Sequence, residues 1–313
     1  MIKITLKIIR RSIIAISKVS LDYDLRYQLA KFLKGEELVT VNGFKMLLDL
    51  KNDTGISRDL FLFKKREHLS TDYVLENNVF RPGTDIIDLG ANIGYYALLE
   101  SRAVGEGGKV YAIEPVARNF ENLEKNIGLN NALNIKTFRM AIGDKNCTTE
   151  INVGKKGNFS SFLKNSKAVY TGKEEVQMQT LDAFVNEHLV TPSLIRMDVE
   201  GYETKIIEGM KETLLKKPAL LIEIHPHLIE RDELGEMMTT LIKSGYTKAV
   251  VIKERKDVWM KRSGKVKPIL KFISRFIEGD KYVMGTGSVE NMDMHELRTR
   301  VRSQYTAFHA LLT

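Results

Sequence analysis

The chain has 313 residues, 43% of them apolar, and a formal net charge of +8. That length allows one large domain or two small ones with a full core, and the excess of Lys and Arg favours an anionic partner or surface without naming it. The single cysteine, Cys147, excludes an internal disulfide and any metal site built from several thiolates.

Residues 2–19 read as a cationic amphipathic helix. Ile2, Leu6, Ile9, Ile13 and Ile16 recur at helical spacing, and Lys3, Lys7, Arg10, Arg11 and Lys18 gather opposite. Two readings stand: a helix lying on an anionic membrane surface, or a helix packed on the domain with a solvated basic face, the commoner use of this pattern. Ser12-Ile-Ile-Ala-Ile-Ser17 is too short for a secretory h-region. No apolar run reaches the ~18 residues of a membrane span. The expectation is a cytoplasmic protein, with peripheral contact at the inner membrane face as the alternative for residues 1–20. A second helix is expected over 22–33, stopped by Gly35.

Leu38–Val41, Asn42-Gly43 and Phe44–Leu48 predict a β-hairpin, because Asn-Gly supplies the two positive-φ residues of a type I′ turn. Ser57 is a candidate cap for a short helix, and Ser70 or Thr71 for another running to Asn77. Residues 1–80 thus form a lead-in, 81–255 the main domain and 256–313 a basic C-terminal extension.

From Asp85 the chain alternates strands and helices, which predicts a doubly wound, mostly parallel sheet. Strands are expected at Asp85–Leu89, Lys109–Ile113, Ile135–Arg139, Leu194–Met197, Ala219–Ile224 and Lys248–Ile252. Thr148–Val153 reads as an inserted strand and Val176–Met178 as a short one. The Gly/Ser/Lys-rich stretch 154–168 reads as a loop and candidate lid. Helices are expected at 203–215 and 230–243, and Met294–Leu312 reads as one or two more. Ile269, Phe272, Ile273 and Phe276 give the basic tail an apolar helical face.

Ligands of such sheets lie beyond the carboxyl ends of the strands. The ends here carry Asp88, Glu114, Asp144, Asp198 with Glu200, and Glu223 with His225. Asp85-Ile-Ile-Asp-Leu-Gly-Ala-Asn-Ile-Gly-Tyr-Tyr96 leads a strand through Gly90 and Gly94 into a helix. It lacks the G-x-G-x-x-G of a dinucleotide turn. Asp88 aims a negative charge where a pyrophosphate would be repelled and a sulfonium or ammonium welcomed. Glu114, at the second strand end, is placed to accept hydrogen bonds from ribose hydroxyls. One of Tyr95 and Tyr96 is expected beside the cofactor. His225 is the best general-base candidate by type, with a structural histidine before Pro226 as the alternative. Asp198 and Glu200 are candidates to orient the acceptor or take its proton. Their oxygens suit Mg²⁺, but no metal-ligand set is recognisable.

Together with Val110-Tyr-Ala-Ile-Glu-Pro115, Thr180-Leu-Asp182, Ile195-Arg-Met-Asp-Val-Glu-Gly-Tyr-Glu203 and Leu221-Ile-Glu-Ile224, this stretch resembles the FkbM family of S-adenosylmethionine-dependent methyltransferases. The resemblance runs from about Asn42 to Ile252. It implies the class I, Rossmann-like seven-stranded sheet and methyl transfer to a hydroxyl oxygen of a sugar, glycan, lipid-linked or secondary-metabolite acceptor. It further implies that Asp88, Gly90, Asn92 and Gly94 line the methionine end of the cofactor, that Glu114 holds the ribose, and that the turn Ala141–Asp144 edges the adenine. Glu67 occupies a position where the family carries an acid near the cofactor. Two rival readings are a nicotinamide oxidoreductase, disfavoured by the missing glycine pattern, and a nucleic-acid methyltransferase. The latter is disfavoured by Asp198-Val-Glu-Gly201 where an exocyclic-amine enzyme carries Asn/Asp-Pro-Pro-Tyr.

Overall fold

The computed structural model describes residues 35–53, 55–154, 160–163, 169–254 and 287–313. The expected helices over 2–19 and 22–33, the basic tail from 255 and most of the candidate lid lie outside the described residues. Among the described residues no helix is long and apolar enough to cross a membrane.

The hairpin forms as its turn dictates. Strands β1 (Glu36–Val41) and β2 (Phe44–Asp49) pair antiparallel, and Asn42 and Gly43 both take positive φ, 48° and 87°. Helix α1 (Ile56–Phe63) follows, but Ser57 does not cap it. Asp53 does that work, its carboxylate accepting from the amides of Gly55 and Ser57. Helix α2 (His68–Glu76) starts two residues ahead of the expected caps, after Glu67 in the left-handed region.

The main sheet takes its strands from β3 (Asp85–Leu89), β4 (Val110–Ile113), β5 (Ile135–Phe138), β9 (Pro192–Met197), β10 (Ala219–Ile224), β11 (Lys248–Glu254), β12 (Gly287–Asp293) and β13 (Phe308–Leu312). Their spatial order is β12-β11-β13-β10-β9-β3-β4-β5. β10, β9, β3, β4 and β5 run parallel, while β13 is antiparallel to both β10 and β11. The sheet therefore has eight strands rather than the implied seven. The final stretch, read as helical, holds only one helix, Met294–Val301, between two strands. Residues 287–313 are thus built into the main sheet rather than appended to it.

Helix α3 (Tyr95–Val104) leaves the β3 turn, and α4 (Ala117–Asn130) follows β4. The expected helix over 203–215 is two short ones, α6 (Glu203–Glu208) and α7 (Lys211–Leu215). They break at Gly209, where an added Cβ would lie 2.0 Å from the Gly143 carbonyl oxygen. Three further strands, β6 (Ala141–Gly143), β7 (Cys147–Gly154) and β8 (Tyr170–Thr180), form a separate small sheet in the order β6-β8-β7. The inserted strand and the short one expected here are longer and pair with each other. Thr180 caps α5 (Leu181–His188) by accepting from the Ala183 amide. Asp182 instead accepts from Glu212 and Thr213 and ties α5 to α7.

Side chains alternate across the sheet. Ile87, Leu89, Ile195, Met197, Leu220 and Ile222 face one buried layer, and Ile86, Leu194 and Leu221 face the other. The second layer also takes Val41, Met46, Leu48, Leu60 and Val74, so the lead-in forms part of the main core.

Candidate active site

After β3 the chain builds β4 and β5 on one side, then returns to build β9 and β10 on the other. Neighbouring connections thus leave in opposite directions between β3 and β9, the place where open α/β sheets bind ligands. A cleft opens there. Gly90, Asn92, Glu114, Ala141, Asp198 and Glu200, all expected at the site, line it. Ile113, Val116, Ile142, Ile151 and Phe162 supply apolar wall, the last three from the small sheet and the segment after it.

Gly90 has φ +82°, and an added Cβ would lie 2.1 Å from the Asp198 carbonyl oxygen. No side chain fits between the two strand ends. Asn92 also sits in the left-handed region, φ 51°, and its amide donates to Glu114 Oε2 at 2.9 Å. Glu114 Oε1 accepts from the Val116 amide and from Asn119 Nδ2. Burial nevertheless outweighs these bonds and raises the Glu114 carboxyl to about 7.

Asp198 and Glu200 also line the cleft. The chain leaves the extended form after Met197, and Glu200 has φ 49°. The i, i+2 spacing therefore does not place the two on one strand face. The turn brings them together instead, with His225 from the end of β10 beside them. His225 is not in the cleft wall. Its Nδ1 lies 2.6 Å from Glu203 Oε1, and its Nε2 lies 3.6 Å from Glu200 Oε2 and 3.9 Å from Glu223 Oε1. Burial would lower the His225 imidazole, but Glu203, Glu223 and Glu200 hold it well above its ordinary value. Burial raises the Glu200 carboxyl to about 8.

Five of the expected residues stand behind the cleft. Asp88 is fully buried and pairs with Arg196, Nη1 to Oδ1 at 2.8 Å. It does not present a free negative charge to a ligand, because period-2 alternation turns it away from the cleft toward the lead-in layer. Gly94 caps α3 and packs on Leu123. The Tyr95 hydroxyl accepts from Asn42 Nδ2 and the Arg66 amide, joining the lead-in to α3. Asp144 lies past the β6 end, with Oδ1 buried and without a hydrogen-bond partner among the described residues. Glu67 pairs with Arg66 and accepts from the Tyr96 hydroxyl. Burial would raise it, but Arg66 and His309 hold it well below its ordinary value.

Four further residues complete the site. Arg196 bridges Asp88 and Asp198 and stacks on Tyr96 at 3.9 Å. Arg66 is raised by Glu67, Asp198 and Glu223 against the effect of burial. His309 stands opposite Glu223 in the β10–β13 register. Glu203 is fully buried and orients His225. Arg196 was visible as the lone charge in the apolar strand Leu194–Met197, whereas His309 lay in a stretch read as helix.

These groups fit an adenosine carrying a sulfonium. Glu114 Oε2 accepts one bond among the described residues, which leaves a lone pair for a ribose hydroxyl. The apolar wall suits a base, and the Asp198 and Glu200 carboxyls add polar groups to the lining. No curated protein matches the chain. Among solved structures, it is similar to an S-adenosylmethionine-dependent methyltransferase of Agrobacterium tumefaciens: TM-score 0.45 and 10% identity over 89% of this chain and 70% of that one. A precorrin-6y C5,15-methyltransferase of Geobacter metallireducens gives TM-score 0.38 and 11% identity over 77% and 85%. An S-adenosylmethionine-dependent methyltransferase of Aquifex aeolicus gives 0.36 and 17% over 60% and 85%. The model of the FkbM methyltransferase domain matches residues 88–248, which run from the β3 carboxylate to the start of β11. The chain therefore belongs to the FkbM methyltransferase family, an S-adenosylmethionine-dependent enzyme on the class I, Rossmann-like α/β fold.

Proposed function

We propose that the enzyme methylates a hydroxyl oxygen of a sugar, glycan, lipid-linked or secondary-metabolite acceptor. The observation that carries this reading is the gathering of Asp198 and Glu200, which line the cleft, with His225 behind them. A hydroxyl acceptor must lose a proton, and the Glu200 carboxyl lines the cleft where it can take one. Glu200 is raised to about 8 by burial, which suits a group that takes up a proton near pH 8.

S-adenosylmethionine supplies the electrophilic methyl group. Glu114 accepts from its ribose, the Gly90–Asn92 turn borders its methionine end, and Ala141 and Ile142 wall the base. Asp88, Gly94 and Tyr95 act from behind, by holding β3 and α3 in place. Asp198 and Glu200 align the acceptor, and most of the rate gain comes from that alignment. Residues 1–20 are the proposed peripheral contact with an anionic surface.

The test is transfer of labelled methyl to paired acceptors that differ only in a hydroxyl or an amine at one position. Label on the hydroxyl member supports the reading. Label confined to the amine member rejects it.

A further inference from the structure

We infer that Asp198, Glu200 and His225 bind one divalent cation of the Mn²⁺ type, open on one side to the cleft. Each residue offers one ligand atom, and the three atoms lie within 4.8 Å of one another. An octahedral ion with bonds of about 2.1 Å sets its ligand atoms roughly 3 Å (cis) to 4.2 Å (trans) apart. The His225–Glu200 separation of 3.6 Å falls between the two spans, and the 4.8 Å bound exceeds the wider one by about half an ångström.

The imidazole points the same way. His225 is 3% exposed, and its Nε2 lies 3.6 Å from the nearest Glu200 oxygen, beyond hydrogen-bond length. Its Nδ1 is engaged by Glu203 at 2.6 Å. A carboxylate on one ring nitrogen with the other aimed at oxygen ligands is the arrangement that orients metal-binding histidines. Glu223, 3.9 Å from the same Nε2, is a further donor within reach.

Charge supports it. Glu67, Asp198, Glu200, Glu203 and Glu223 gather around Arg66, Arg196 and the imidazoles of His225 and His309, five acidic groups against four basic ones, and His225 as a metal ligand would be neutral. A dication offsets part of that surplus without drawing protons onto buried carboxylates. The neighbouring trio Glu67, Glu223 and His309 is the poorer site, because both Glu67 oxygens are taken, by Arg66 and Tyr96, whereas Arg196 engages one oxygen of Asp198. Two carboxylates and one imidazole suit Mn²⁺ better than Mg²⁺, since imidazole favours the transition ions. Three protein ligands leave open positions, as at catalytic ions. One position faces the cleft, where an acceptor oxygen would complete the shell. That last role rests on the proposed hydroxyl acceptor; the ion binding does not.

The test is Mn²⁺ titration of the full chain, stripped with chelator, followed by loss of the free-ion EPR signal. One Mn²⁺ per chain is expected. Glu200→Gln and His225→Ala should weaken it at least tenfold, and Glu203→Gln by about 10–100-fold, each variant retaining cooperative thermal unfolding. No binding, or equal binding by all three variants, overturns the site. Adenosylhomocysteine titration of the same samples reads the cofactor cleft separately. A chain that binds it but not Mn²⁺ keeps the methyltransferase reading and loses the ion site.

Discussion

Asp88 and Arg196 stand opposite each other in the β3–β9 register and join at 2.8 Å, with side chains 0% and 4% exposed. The carboxylate expected to face a ligand is instead held by a buried guanidinium. That guanidinium also reaches Asp198 at 3.1 Å, so one pair couples the core to the site. Arg196→Met should leave Asp88 buried and uncompensated and cost about 3–5 kcal/mol. Asp88→Asn in the same chain should recover part of it. Urea unfolding of the single and double variants measures both, and a single-variant loss below about 1 kcal/mol contradicts the coupling.

The strand–helix order of the main domain was legible because each parallel strand reads as an apolar run ended by turn residues. The Asn42-Gly43 hairpin was legible because its turn chemistry is local. β13 was not: Phe308–Leu312 is a short apolar run after a helical pattern through Met294, Leu297 and Val301, and periodicity alone cannot separate the two. The site divided in the same way. Glu114, Asp198 and Glu200 end strands and were readable. Arg66 and Glu67 arrive from the lead-in, and His309 from the last strand, so only tertiary folding brings them to the cluster. Asp88 was misplaced because its strand position decides its face, and only the facing Arg196 reveals that.

Glu114 makes cofactor binding pH-dependent. Its carboxyl is raised to about 7 by burial, and a ribose hydroxyl donates best to the ionised form. Adenosylhomocysteine affinity should therefore rise as pH rises through about 7 and level off above it. Stability runs the opposite way. The raised group contributes fully below its unfolded value of 4.5 and loses that contribution as pH rises through about 7. Calorimetric titrations between pH 6 and 8 check the first statement, and Glu114→Gln should bind weakly with a flat profile. A wild-type affinity that falls with pH contradicts it.

Glu203 acts through His225, with no place in the cleft wall. Glu203→Gln keeps the volume and loses the charge that holds the imidazole. The expected result is a kcat lowered tenfold or more with adenosylhomocysteine affinity unchanged. Initial rates with labelled donor, beside a binding titration, separate the two. Equal losses in both would show that Glu203 only supports the fold.

Gly90 and Gly128 make a matched pair of opposite sign. Gly90 has φ +82° and room for no Cβ, the Asp198 carbonyl oxygen lying 2.1 Å away. Gly90→Ala must push β3 from β9 at the cleft floor, so it should lose about 1–3 kcal/mol and most adenosylhomocysteine binding. Gly128 lies within α4 with nothing near its missing Cβ. Gly128→Ala should instead stabilise by roughly 0.5–1 kcal/mol, since alanine gives up less backbone freedom in a helix. Thermal unfolding of both, with adenosylhomocysteine titration, distinguishes a cleft held open by backbone approach from one that merely tolerates it. If Gly90→Ala behaved like Gly128→Ala, the close β3–β9 contact would not be what shapes the site.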